Sequence, residues 1–238
     1  MRLQGLDIFR GVAIVLMVIF HFCFDLKNFG YADFDLRHGE GWKYFRYTIV
    51  TMFILSAGIS AQLTHAKGID IKKLRKRVLL LTLASLVVSI GSYTQFPNSW
   101  IYFGILHFFL AITILGLPFL NFPKLSLLTG AFIILGYKMS WINMHWLYTL
   151  LQKPLHLPIA YTQDLVSLVP WFGVYLLGLA AGYYKLQEIF LNLEILNRKN
   201  LINSSLALLG RHSFIIYLSH QIILFAFFYL ILLFLKYM

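Results

Sequence analysis

Long apolar runs, broken by short polar or basic stretches, recur along the whole chain. The polar residues inside those runs fall at helical rather than strand spacing. The first run, LDIFRGVAIVLMVIFHFCFD at 6–25, carries Asp7, Arg10, His21 and Asp25 on the stripe 7, 10/11, 14, 17/18, 21, 25, which is one face of one helix. At about 1.5 Å per residue its two aspartates lie roughly 27 Å apart, close to a hydrocarbon thickness. The pattern predicts seven spans, at about 8–28, 43–63, 74–93, 101–119, 125–138, 166–185 and 213–235. Residues 139–162, with aromatics, His145, His156 and two prolines, read as an interfacial, re-entrant or broken segment; an eighth span there would reverse the last two. No internal repeat is visible.

Composition agrees with a membrane chain. Of 238 residues 60% are hydrophobic and 12% charged, with mean hydropathy +0.76, where a soluble domain would carry about 25% charged residues. The expected fold is all-α, a polytopic membrane helical bundle of about seven or more transmembrane helices, forming a single domain over 1–238.

The net charge of +11 does not imply nucleic acid, because the positives gather in short loops between spans. Lys67, Lys72, Lys73, Arg75, Lys76 and Arg77 mark the loop after the second span as cytoplasmic, which also places the N-terminus, with Arg2 and Arg10, inside. His21, Asp25 and His107 then lie in the outer halves of their spans, and 27–46, with Asp33, Asp35, Arg37, His38 and Glu40, is external. No cleavable signal peptide is expected, so the first span is retained in a plasma membrane. Cys23 alone forms no internal disulfide and reads as a packing residue.

Ionisable groups inside a span are costly and need a partner or a use. His21 and Asp25, at i and i+4, suit a general base whose imidazole is oriented by a carboxylate, or else a polar pair docking helices. Asp7 and Arg10 read as an interfacial ion pair, or as part of a site for an anionic cosubstrate. The 72–77 cluster is a topology signal that could also hold phosphates, with Arg75 and Arg77 favoured by their bidentate geometry. His107 is a lone polar residue in an apolar span. In GRHSFIIYLSHQ at 210–221, Arg211 belongs at the inner interface, while His220 and Gln221 lie about two turns deeper and suit a substrate channel or a helix bridge. The sequence contains no GxSxG elbow, P-loop, Rossmann fingerprint or Cys/His metal spacing, and no metal is expected.

Taken together, Leu6-Asp7-x-x-Arg10-Gly11, MVIFHFCFDL, the span ending in Gly58, FGILH around His107 and GRHSFIIYLSHQ resemble the family of the heparan-alpha-glucosaminide N-acetyltransferase catalytic domain. The resemblance implies a membrane acyltransferase that moves an acyl group, expected to be acetyl, from cytoplasmic acyl-CoA to a sugar-like or other amine or hydroxyl acceptor on the outer side. It marks two histidines: His38, twenty residues before Gly58 and near Trp42, and His21 in the first span. Acetyl-CoA is the expected cosubstrate. Arg10, Arg75, Arg77 and Arg211, beside Asp7, would hold its phosphates. His21 with Asp25, or His38, would act on the acceptor, and His107, His220 and Gln221 would contact substrate or the oxyanion in a tunnel lined by the first, fourth and seventh spans. Expected partners are acyl-CoA, a small-molecule or glycan acceptor and membrane lipids; the oligomeric state is open. The competing reading is a small transporter or channel with a His/Asp proton relay, and a third is a purely structural membrane subunit.

Overall fold

The computed structural model describes residues 3–36, 38–159, 162–191, 193, 196, 198 and 200–237. Arg2 and Arg37, used above for topology, lie outside the described residues, as do residues 160 and 161 of the weak segment. The architecture is all-α: α1 (Gln4–Asn28), α2 (Glu40–His65), α3 (Ile71–Gln95), α4 (Ile105–Leu115), α5 (Pro123–Lys138), α6 (His145–Gln152), α7 (Leu168–Tyr183), α8 (Gln187–Leu191), α9 (Leu201–Arg211) and α10 (Ser213–Tyr237). Among the described residues the only β pairing is an isolated parallel bridge between Phe103 and Leu165.

Four helices, α1, α2, α3 and α10, are long and apolar enough to cross a membrane. Their apolar side chains that are exposed in the fold, such as Leu79, Leu83 and Val87 on α3 and Ile222, Leu230 and Phe234 on α10, have lipid as their natural solvent. The other three expected spans are shorter. α4 has 11 residues and α5 and α7 have 16 each, against about 20 for a full crossing.

The run expected as a span from 101 begins its helix only at Ile105, because 99–104 is tied to 162–166. Thr162 donates to the Trp100 carbonyl at 2.6 Å, and the Gln163 amide donates to Ser99 Oγ at 2.9 Å. Asp164 Oδ2 accepts from the Ile105 N–H at 3.0 Å, capping α4 from 59 residues away. The weak segment supplies α6, a two-turn helix with Trp146 and Leu150 exposed.

The chain forms two compact units, one of residues Met1–Ser56 and Gln187–Met238, the other of Ala57–Leu186. In the first, α1 is packed against α9 and α10. Ile14, Met17 and Ile49 form its core, with Phe20, Phe45, Phe53 and Ile216 around them. The α1–α9 crossing depends on glycine. A Cβ on Gly11 would collide with the Leu206 carbonyl, and one on Gly210 with the Asp7 carbonyl, so the two backbones touch as in small-residue membrane interfaces. In the second unit α5 and α7 meet the same way, Gly130 against Gly173.

Candidate functional site

In the first unit the 21/25 stripe of α1 meets the 217/220/221 stripe of α10. Both sets follow i, i+3, i+4 spacing, so each helix presents its polar groups on one face. Asp25 is fully buried, and its two oxygens accept from Gln221 Nε2 at 2.9 and 3.2 Å. The His21 ring lies against His220, centroids 4.7 Å apart and planes at 65°, and is flanked by Phe20 and Phe24. The expected His21–Asp25 pair is therefore replaced by two contacts between helices, Asp25 with Gln221 and His21 with His220. Asp25 takes its donor from the Gln221 amide, which reaches both of its oxygens, rather than from the imidazole four residues earlier on α1.

His220 Nδ1 lies 2.6 Å from the Tyr217 carbonyl oxygen. A carbonyl only accepts, so Nδ1 carries the proton and the neutral ring has a bare Nε2. That Nε2 is buried and without a hydrogen-bond partner among the described residues, and so is Gln221 Oε1. Flipping the Gln221 amide would set its oxygen against the Asp25 carboxylate, so the orientation is fixed by charge. The cluster thus offers two buried acceptors that lack donors among the described residues, in a place where an unmet polar group is costly.

Nearer the start of α1, Asp7 sits between two guanidinium groups, with Arg10 Nη1 at 3.8 Å and Arg211 Nε at 3.5 Å. Arg10 Nη2 also donates to the Ser56 carbonyl at 3.5 Å. The Asp7 side chain is 4% exposed, so this carboxylate joins α1 to the end of α9 rather than facing solvent.

The remaining expected residues are dispersed. His38 is exposed, 81% by side chain, on the loop before α2, where its N–H and ring both approach Asp35 Oδ1, at 3.0 and 3.6 Å. The Asp35 carboxyl is held below the usual range chiefly by that N–H, helped by the charges of His38 and Lys27. Trp42 meets Phe20 edge-on and packs at a tilt against Phe34 and Phe45.

In the second unit His107 Nε2 meets Ser89 Oγ at 3.0 Å, and Ser89 donates to the Ile101 carbonyl at 2.7 Å. Arg75 is exposed on α3. Arg77 Nε donates to Thr113 Oγ1 at 3.1 Å beside the buried Tyr175, in a cleft also lined by His65 and Lys73. With Nε committed, the two terminal nitrogens of Arg77 still carry four donors suited to an oxyanion.

Some of these partners were not foreseen. Ser89 was findable as one of the serines at 85, 89 and 92 on one face of α3. Thr113, Tyr175 and the Tyr217 carbonyl left no local signal. Among the described residues no group of three or more His, Cys, Asp or Glu could hold a metal ion.

Residues 2–222 match the model of the family described as heparan-alpha-glucosaminide N-acetyltransferase, catalytic. No curated protein and no solved structure matches the chain.

Proposed function

The chain belongs to the heparan-alpha-glucosaminide N-acetyltransferase catalytic family, and on that premise we propose that it transfers an acetyl group from acetyl-CoA to an amine or hydroxyl acceptor. The observation that supports a reaction centre is the α1–α10 cluster of His21, Asp25, His220 and Gln221. It is four ionisable or amide groups held in a membrane helix pair, two of them with buried acceptor atoms unmet. The reaction needs a base for the acceptor and a site that excludes water from the thioester. An imidazole cluster between spans supplies the first, and its apolar surroundings favour the second.

For the donor's phosphates we assign Arg77, whose terminal nitrogens are free of the Thr113 contact, with Lys73 and His65 lining the same cleft and Arg75 nearby on α3. The Asp7 contacts give Arg10 and Arg211 an internal partner, so we assign these three residues to holding α1 and α9 together. His107, paired with Ser89, is assigned to the second unit's packing.

His38 is the alternative base, favoured by its place relative to Gly58 and Trp42 and by its accessibility. We further propose that residues 1–238 form one catalytic domain in the plasma membrane with a cytoplasmic N-terminus, supported by the basic stretch Lys67–Arg77 after α2. Family membership does not favour the transporter reading. The test is acetyl-CoA binding and acceptor-dependent CoA release by the purified chain, repeated with His21→Ala and His38→Ala.

A further inference from the structure

We propose that His220 is the residue that takes the acceptor's proton, and that Gln221 Oε1 receives a second hydrogen bond from the same acceptor. The inference rests on the acetyltransferase reading and goes beyond it by assigning the base. Three observations on α10 carry it.

The first is a fixed tautomer. The Tyr217 carbonyl, 2.6 Å from Nδ1, holds the ring with its proton on that nitrogen and leaves Nε2 as a lone pair. The second is burial without a partner. His220 is 7% exposed, and Nε2 finds no donor among the described residues. A lone pair in that state has lost its water and gained nothing, a cost that a bound N–H or O–H would remove. The third is the neighbouring amide. Both Asp25 oxygens draw on Gln221 Nε2, which turns Oε1 away from the carboxylate and leaves it buried and unmet. A substrate that brings hydrogen donors satisfies both atoms; an oxyanion would be repelled by both. His21 lies against the same ring at 4.7 Å, held among aromatic rings, and among the described residues no hydrogen-bonded group fixes its tautomer. It is the less prepared of the two.

The acceptor's N–H or O–H proton passes to His220 Nε2 while its nitrogen or oxygen bonds to the thioester carbonyl carbon. The C–S bond then breaks, and the sulfur leaves with the proton from His220. The products are the acetylated acceptor and free CoA, with His220 returned to its starting tautomer. Nδ1–H stays on the Tyr217 carbonyl throughout, which stabilises the transient imidazolium.

The experiment uses the full chain in lipid nanodiscs, with acetyl-CoA as donor and glucosamine as the acceptor probe, and compares wild type with His220→Ala, His220→Gln and His21→Asn. His220→Ala is expected to lower kcat by about 100-fold or more with acetyl-CoA affinity within twofold, and added imidazole is expected to restore part of the turnover. His220→Gln supplies a folded control, whose loss imidazole does not restore. Nitrogen NMR of labelled histidine is expected to show one ring with unprotonated Nε2, absent in His220→Gln, that shifts when glucosamine is added. Retention of more than a tenth of turnover by His220→Ala overturns the assignment, as does loss without imidazole rescue. If the wild type binds no acetyl-CoA, the donor reading fails. The NMR arm then decides the inference alone: a protonated or glucosamine-insensitive Nε2 rejects it.

Discussion

Gln221 donates to both oxygens of Asp25, at 2.9 and 3.2 Å, and so joins the last helix to the first across 196 residues of sequence. Asp25 is fully buried, which makes this link worth more than a surface contact. Gln221→Leu is expected to destabilise the protein by about 2 kcal/mol, because a buried carboxyl loses its donor. Asp25→Asn should cost less, since an amide can still accept from Gln221. Thermal unfolding of both single variants and the double variant measures the coupling, and additive effects would contradict the link.

The α1–α9 crossing should be intolerant of a single methyl group. Gly210→Ala and Gly11→Ala each push a Cβ into a backbone carbonyl, of Asp7 and Leu206 respectively. A carbonyl in a packed helix cannot yield cheaply, so a loss of about 1–3 kcal/mol or a failure to fold is expected. Gly41, with open space around its Cβ position, is the control, and Gly41→Ala should leave the melting temperature level or slightly raised.

Arg77 is expected to be a phosphate ligand that lysine cannot replace. Its Nε is used by Thr113, and a lysine keeps the charge but loses that anchor and the forked geometry. Arg77→Gln should weaken CoA binding by about tenfold or more, and Arg77→Lys by nearly as much. Calorimetry with CoA reads both, and unchanged affinity in Arg77→Gln would remove Arg77 from the donor site.

The start of α3 should loosen in acid. Asp70 caps the helix, accepting from the Lys73 N–H at 3.0 Å and pairing with its Nζ at 3.0 Å. These contacts hold its carboxyl below the usual range, the backbone bond being the larger cause. A lowered folded value means that the stabilisation is present above the ordinary carboxylate range, about pH 4, and is lost as pH falls through the folded value. Hydrogen exchange at Lys73 and Leu74, corrected for intrinsic rate, should show protection falling below about pH 4. Asp70→Ala should show the lower protection already at neutral pH.

Much of this was legible from spacing. The α1 stripe stood out because Asp7, Arg10, His21 and Asp25 interrupt an apolar run at helical intervals, and His220 and Gln221 stood out for the same reason. Periodicity says which face of a helix a residue occupies but not which helix lies opposite, so the Asp25–Gln221 and His21–His220 pairings stayed hidden. The start of α4 was misjudged because its cap, Asp164, is far away in sequence. α9 went unseen because Asn203, Ser204 and Ser205 lower its hydropathy below that of a span. Its local sign was Asn200, whose side chain accepts from the Asn203 N–H at 2.7 Å.

The most direct measurement is acetyl transfer by the purified full chain in nanodiscs, with acetyl-CoA and glucosamine supplied together and free CoA thiol followed over time. Acetyl-CoA is expected to bind in the micromolar to millimolar range usual for substrates. Thiol release is expected to depend on the acceptor and to be lost in His220→Ala. Wild-type protein that is folded, yet neither binds acetyl-CoA nor releases thiol with any amine or hydroxyl acceptor, would contradict the acetyltransferase reading.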